Sequence, residues 1–115
     1  MVFMKLTRSQ MRYVLAIYRL SESGKSVRSS DLARFLGFAR PSVSRMLRVL
    51  SELGLLGKNS SGRILFTEAG KAGAKELCQT AESLSRRLRE ALDLSSEAAE
   101  DCALLLLAEL QESVG

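Results

Sequence analysis

A chain of 115 residues with 46% hydrophobic and 26% charged residues has the make-up of one globular domain rather than of a disordered segment. It contains two cysteines and no histidine, which removes imidazole from any catalytic or metal-binding scheme, and its net charge is +4. The longest apolar run, Ala103 to Ala108, is far short of a bilayer span, and the start MVFMKLTR lacks the layout of a secretory signal. A cytoplasmic location with no membrane partner is the expectation.

The charge is unevenly placed. Residues 1–65 hold twelve Lys and Arg against three acids, a net +9, whereas residues 66–115 hold five against ten, a net −5. One half suits a polyanion and the other would be repelled by it.

In chain order, Thr7 followed by Gln10 is a capping box for a helix running to about Glu22, with Met11, Val14, Leu15, Ile17 and Tyr18 at helical spacing. SESGKS ends it. Ser30 is placed to cap a short helix, DLARFL, which Gly37 stops, and Pro41 is acceptable in the first turn of a third helix reaching about Leu53. On a wheel, this third helix puts Val43, Met46, Leu47, Leu50 and Leu53 on one side and Arg40, Pro41, Ser44, Arg45, Arg48 and Ser51 on the other.

One core face and one basic, hydrogen-bonding face, preceded by a short helix and a glycine turn, is helix-turn-helix spacing. Ser44 and Arg45 are placed to reach base edges. Arginine can bond guanine O6 and N7 together, so Arg45 is the better candidate for direct readout. The expected DNA contacts on and around these helices are Arg28, Ser30, Arg40, Pro41, Ser42, Ser44, Arg45 and Arg48. The stretch LGLLGKNSSGRILFTEAG then reads as strand, polar turn and strand, a wing whose Lys58 and Arg63 would meet phosphate. A hairpin that merely closes the core is the plainer alternative.

After Thr67, Leu77, Ala81, Leu84, Leu88 and Leu92 recur every three or four residues, a stripe that must be buried. In the last helix Leu104, Leu105, Leu106 and Leu107 cover every direction, more apolar surface than one packing face hides. Together they suggest an isologous dimer built on Leu77, Ala81, Leu84, Leu88 and Leu104 to Leu107. The expected fold is mainly α: a winged helix-turn-helix DNA-binding region, 1–70, with a two-helix C-terminal dimerisation extension, 71–115. Cys78 and Cys102 lie far apart with no CxxC motif, so buried thiols are a better reading than a disulfide or a zinc site.

Three sets of residues carry a family resemblance: YVLAIYRL in the first helix, VRSSDLARFLGFARPSVSRML across the helix-turn-helix, and ILFTEAGKAG at the exit from the wing. The stretch from about residue 6 to 73 resembles the winged-helix domain of iron- and manganese-dependent repressors of the DtxR/MntR type. That resemblance implies a homodimeric transcription regulator, a repressor, on double-stranded DNA with a palindromic operator. It also implies metal ligands, and here the sequence departs from the family. The family's first-helix ligand positions fall on Arg12 and Leu15, its long-helix histidine at about Ala81, and its Cys-x-x-Glu-His on Cys102, Leu105 and Leu106. Only Cys102 has a ligating side chain, so neither a metal nor any other cofactor is expected. The alternatives are a metal-dependent repressor with a non-standard site drawing on Cys102, Cys78 and nearby acids, and a winged helix used only for protein contacts. An enzyme is disfavoured: no nucleophile-and-base constellation and no phosphate-cradling glycine loop is present.

Overall fold

The computed structural model describes residues 5–57 and 62–114, and among them the chain forms five helices: α1 (Arg8–Glu22), α2 (Ser29–Leu36), α3 (Arg40–Glu52), α4 (Glu68–Leu92) and α5 (Ser96–Val114). The expected capping box of α1 is present. Thr7 Oγ1 accepts from the Gln10 N–H at 3.1 Å, and Gln10 Oε1 accepts from the Thr7 N–H at 3.0 Å. Such a cap stabilises a helix by about 1 kcal/mol. Met11, Tyr13, Val14, Leu15, Ala16 and Ile17 are all buried, because α1 is the hub against which each of the other helices packs.

Two local expectations are corrected. Helix α2 begins one residue before Ser30, with Arg28 at its N-cap, because the Asp31 carboxylate accepts the Arg28 N–H at 2.9 Å and anchors the turn from three residues on. Ser30 lies in the first turn. The helix stops where expected: Gly37, at φ +72°, donates its N–H to the Ala33 carbonyl at 2.8 Å. In α3, Val43 and Leu50 are fully buried and Met46 and Leu47 pack against the core, but Leu53 does not. It is the C-cap residue and half-exposed, since the chain turns away there at Gly54.

Among the described residues, the expected strands reduce to two isolated antiparallel bridges, Leu56 with Phe66 and Arg28 with Arg63. The Ile64 N–H turns to the Val27 carbonyl at 2.7 Å while the Gly57 N–H bonds the Leu65 carbonyl at 2.8 Å, so one side of the wing is shared with the segment before α2. Lys58 and the turn serines Ser60 and Ser61 lie outside the described residues.

A single hydrophobic cluster runs through both halves of the chain. It joins Met11, Ile17, Leu32, Val43 and Leu50 to Leu77, Ala81, Leu104 and Leu107. These last four side chains, expected at a subunit contact, are therefore used inside the protomer, each at most 2% exposed. Leu84 packs partly against the same cluster, Leu88 is half-buried, and Leu105 and Leu106 point outward. The physical reason is that α5 lies against both α4 and α1, so its Leu104 and Leu107 side is already covered.

The start of α4 is joined tightly to the end of the helix-turn-helix. The Thr67 N–H donates to the Leu55 carbonyl at 3.0 Å, its hydroxyl donates to the Gly54 carbonyl at 2.8 Å, and the same oxygen accepts from the Gly70 N–H at 2.9 Å. Gly70 sits so close to this segment that a Cβ there would fall 2.8 Å from the Leu55 carbonyl carbon. Gly70→Ala must displace backbone and is expected to destabilise the fold by about 1–3 kcal/mol in urea unfolding. Gly57→Ala, whose Cβ would meet nothing nearer than 3.9 Å, is expected to change stability by under about 0.5 kcal/mol.

Candidate nucleic-acid interface

Helix α3 is held by its Val43 and Leu50 side, which leaves Arg40, Pro41, Ser44, Arg45 and Arg48 exposed, with Ser42 half-buried at the edge. Pro41 in the first turn suits a helix whose leading N–H groups have no internal partner. On one flank, Ser29, Ser44, Ser51, Gly62 and Arg63 line a cavity of about 430 Å³ between α3 and the wing.

Arg28 and Arg63 are separate contacts as far as the sequence goes. The structure brings them together: they face each other across an antiparallel bridge, both exposed, with an Arg28 guanidinium nitrogen packed against Gly62. Like charges opposite one another in a ladder repel, and a phosphate between them removes that cost. Ser30 is half-buried on α2 beside this pair. What the sequence could not signal is Ser29, which reaches the same cavity as Ser44 and Arg63 only through the docking of α2 on α3.

The family's ligand positions hold a different arrangement. Arg12 Nη2 donates to Asp101 Oδ1 at 2.7 Å, tying α1 to α5, and Arg19 Nη2 repeats the tie with Glu100 Oε1 at 2.6 Å, with Glu82 of α4 at 3.9 Å. The Glu100 hydrogen bond, against the opposing effect of burial, holds Arg19 above its ordinary pKa. Leu15 and Ala81 are buried in the core, while Leu105 and Leu106 are exposed. A guanidinium, two buried apolar side chains and two outward leucines do not suit the family's metal, and no group of three or more Cys, Asp or Glu able to hold an ion occurs among the described residues. Among these residues, too, no helix is long and apolar enough to cross a membrane.

The family described as "Iron dependent repressor, N-terminal DNA binding domain" matches residues 5–61, about half of the chain. Residues 5–61 are an iron-dependent-repressor DNA-binding domain. No curated protein matches the chain. Among solved structures, the manganese regulator SloR is similar at 24% identity and a TM-score of 0.73, covering 84% of this chain and 45% of its own. The chain thus spans less than half the length of SloR. ZitR of Lactococcus lactis is similar at 21% identity and TM-score 0.61 over 97% of this chain and 77% of its own. MepR, described as a transcription regulator of the Staphylococcus aureus multidrug efflux pump MepA, follows at 20% identity and TM-score 0.54 over 93% of this chain and 78% of its own. These likenesses establish the winged-helix fold, and the family that matches residues 5–61 is one of DNA-binding repressor domains.

The two thiols of the chain differ. Cys78 is buried at 3.5 Å from Glu82 Oε2, and burial, with that carboxylate, pushes its pKa up. Its thiol stays protonated at neutral pH and unreactive. Cys102 is half-exposed on α5. Iodoacetamide at neutral pH is therefore expected to modify Cys102 at least about tenfold faster than Cys78, as read by peptide mass spectrometry.

Proposed function

We propose that this chain is a sequence-specific, homodimeric transcription regulator that represses from a palindromic operator in the cytoplasm, without the metal dependence of its family. The observation that carries the DNA contact is the basic, donor-rich face of α3, set beside the facing Arg28 and Arg63. An α-helix offering arginine and serine on its outer side fits a major groove, where Arg45 can read guanine and Arg40, Arg48, Arg28 and Arg63 can hold backbone on either side. A winged helix used only for protein contacts would have no need of this concentration of guanidinium groups.

Dimerisation is supported by what α5 leaves uncovered. Leu105, Leu106 and Leu110 remain 44–51% exposed on the outer side of a helix whose inner side is filled by the protomer's own core. An isologous contact along this face hides them and sets two recognition helices about 34 Å apart, one DNA turn. The acidic balance of residues 66–115 keeps this end of the molecule off the polyanion. Metal independence is supported by the Arg12–Asp101 pair, which puts a fixed positive charge on α1 at the family's ligand position.

Arg45→Ala is expected to relax base preference at one position per half-site, at a cost of about 1–3 kcal/mol in operator binding measured by fluorescence anisotropy. Arg63→Ala is expected to weaken all sequences alike and to lower the salt slope by about one. If Arg45→Ala left affinity and preference unchanged, α3 would not be the reading helix.

Leu106→Glu is expected to leave a folded protomer, because the position is exposed, yet to shift sedimentation at micromolar concentration from dimer to monomer. Operator affinity should then fall by about 10²–10⁴ as the two half-sites are no longer held together. Leu104→Glu, in the core, is expected to unfold the protomer instead. A wild type that sediments as a monomer at all concentrations would overturn the dimer. Operator selection after chelator treatment is expected to give the same site and affinity as selection with added Mn²⁺, Fe²⁺ or Zn²⁺, and a metal requirement would restore the metal-dependent alternative.

A further inference from the structure

On the flank of α3 away from the wing lies a groove of about 580 Å³ between the first turns of α1 and α3, lined by Tyr13, Phe38, Ser42, Arg45, Met46 and Val49 among others. Its size is that of a small-molecule site. Three features bear on what it could hold.

The first is apolar. Phe38 and Val49 remain 39% and 38% exposed, beside the half-buried Met46, so the groove offers an aromatic and aliphatic surface to solvent next to a helix that is otherwise polar on its outer side. The second is Tyr13. Its side chain is only 4% exposed and its ring lies 5.8 Å from that of Phe38, tilted by 37°, yet its phenol has no hydrogen-bond partner among the described residues. Among the described residues the one fully buried side-chain oxygen without a partner is Ser85 Oγ, so the Tyr13 phenol oxygen reaches solvent and is open to a bound molecule.

The third is charge. Arg45 is the one charged residue among the described residues lining the groove, and its guanidinium has only a long 3.4 Å contact to Ser42 Oγ. Ala39 and Ser42 of the α3 N-terminus line the same groove, and Ala39 gives that helix no side-chain cap. Free first-turn N–H groups and a guanidinium together attract an anion.

We infer that this groove binds a small aromatic carboxylate, its ring against Phe38 and Val49 and its carboxylate between Arg45, the α3 N-terminus and the Tyr13 phenol. A DNA phosphate would use the cationic part but has no use for an exposed aromatic floor. The inference rests on the proposed DNA role of Arg45 for its consequence: the ligand occupies the side chain that reads DNA, so ligand and operator compete.

The test uses the full chain and 2-naphthoate as probe, with calorimetry for binding and anisotropy of a labelled duplex for competition. Saturable 2-naphthoate binding is expected, with 2-naphthamide weaker by about 10–100-fold through loss of one charge-assisted interaction, and inorganic phosphate weaker by at least about tenfold because it leaves the apolar floor unused. Arg45→Gln should weaken 2-naphthoate by a similar factor, whereas Tyr13→Phe should weaken it about 2–10-fold and leave DNA affinity unchanged. Phosphate binding as tightly as 2-naphthoate would make the groove a seat for DNA backbone and overturn the inference. So would 2-naphthoate binding that neither variant alters, with folding verified by circular dichroism, or no binding at all. If 2-naphthoate fails to bind while Arg45→Gln weakens DNA, the site is wrong and the DNA reading stands. If 2-naphthoate binds through Arg45 while Arg45→Gln leaves DNA affinity unchanged, the site stands and the DNA role of Arg45 falls.

Discussion

The join between Leu55, Thr67 and Gly70 is the constraint on which the rest of the molecule depends. The chain leaves α3 at Leu53, runs out through the wing, and returns to begin α4 within hydrogen-bond reach of where it left. Thr67 does this with its backbone N–H to Leu55 and its hydroxyl to Gly54, and then caps α4 with the same oxygen. Gly70 lets the first turn of α4 come against Leu55 closely enough to exclude any larger side chain. Helices α3 and α4 are thereby fixed relative to each other by hydrogen bonds to backbone and by close backbone approach.

Two guanidinium–carboxylate ties then hold α5 to the other side of α1. Arg12–Asp101 and Arg19–Glu100 lie seven residues, two helical turns, apart along α1 and meet adjacent acids on α5. Each is part-exposed and worth only about 0.2–1 kcal/mol in stability, so their importance is geometric rather than energetic. Charge pairing at two points specifies which side of α5 faces α1, and that choice decides which leucines are core and which remain outside. The first helix thus organises both ends of the chain, with its apolar residues under the helix-turn-helix and its arginines toward α5.

The basic surface follows from the same arrangement. Arg28 and Arg63, far apart in sequence, meet because the Ile64 N–H bonds the Val27 carbonyl. Both side chains sit at an exposed site, where water screens their mutual repulsion. Helix α3 separates two different surroundings: Ser44 lines the cavity toward the wing, and its neighbour Arg45 lines the aromatic groove toward α1.

Much of this was legible in the residues alone. Helix periodicity, the Thr7–Gln10 capping box, the Gly37 stop, Pro41 and the polar face of α3 are local features, written in spacings of three or four residues, and local geometry obeys them. The bridge that brings Arg63 to Arg28 and the start of α2 at Ser29 were not legible, since each depends on a hydrogen bond whose partner sits in another segment or competes with the nominal cap. The leucine run from Leu104 to Leu107 makes the division plain. Its composition required burial on more than one side, but periodicity cannot distinguish a side buried by the same chain from one left for another molecule. Tertiary packing decided that Leu104 and Leu107 face inward and Leu105 and Leu106 outward, because α5 docks on α4 and α1 at an angle that no one-dimensional pattern encodes.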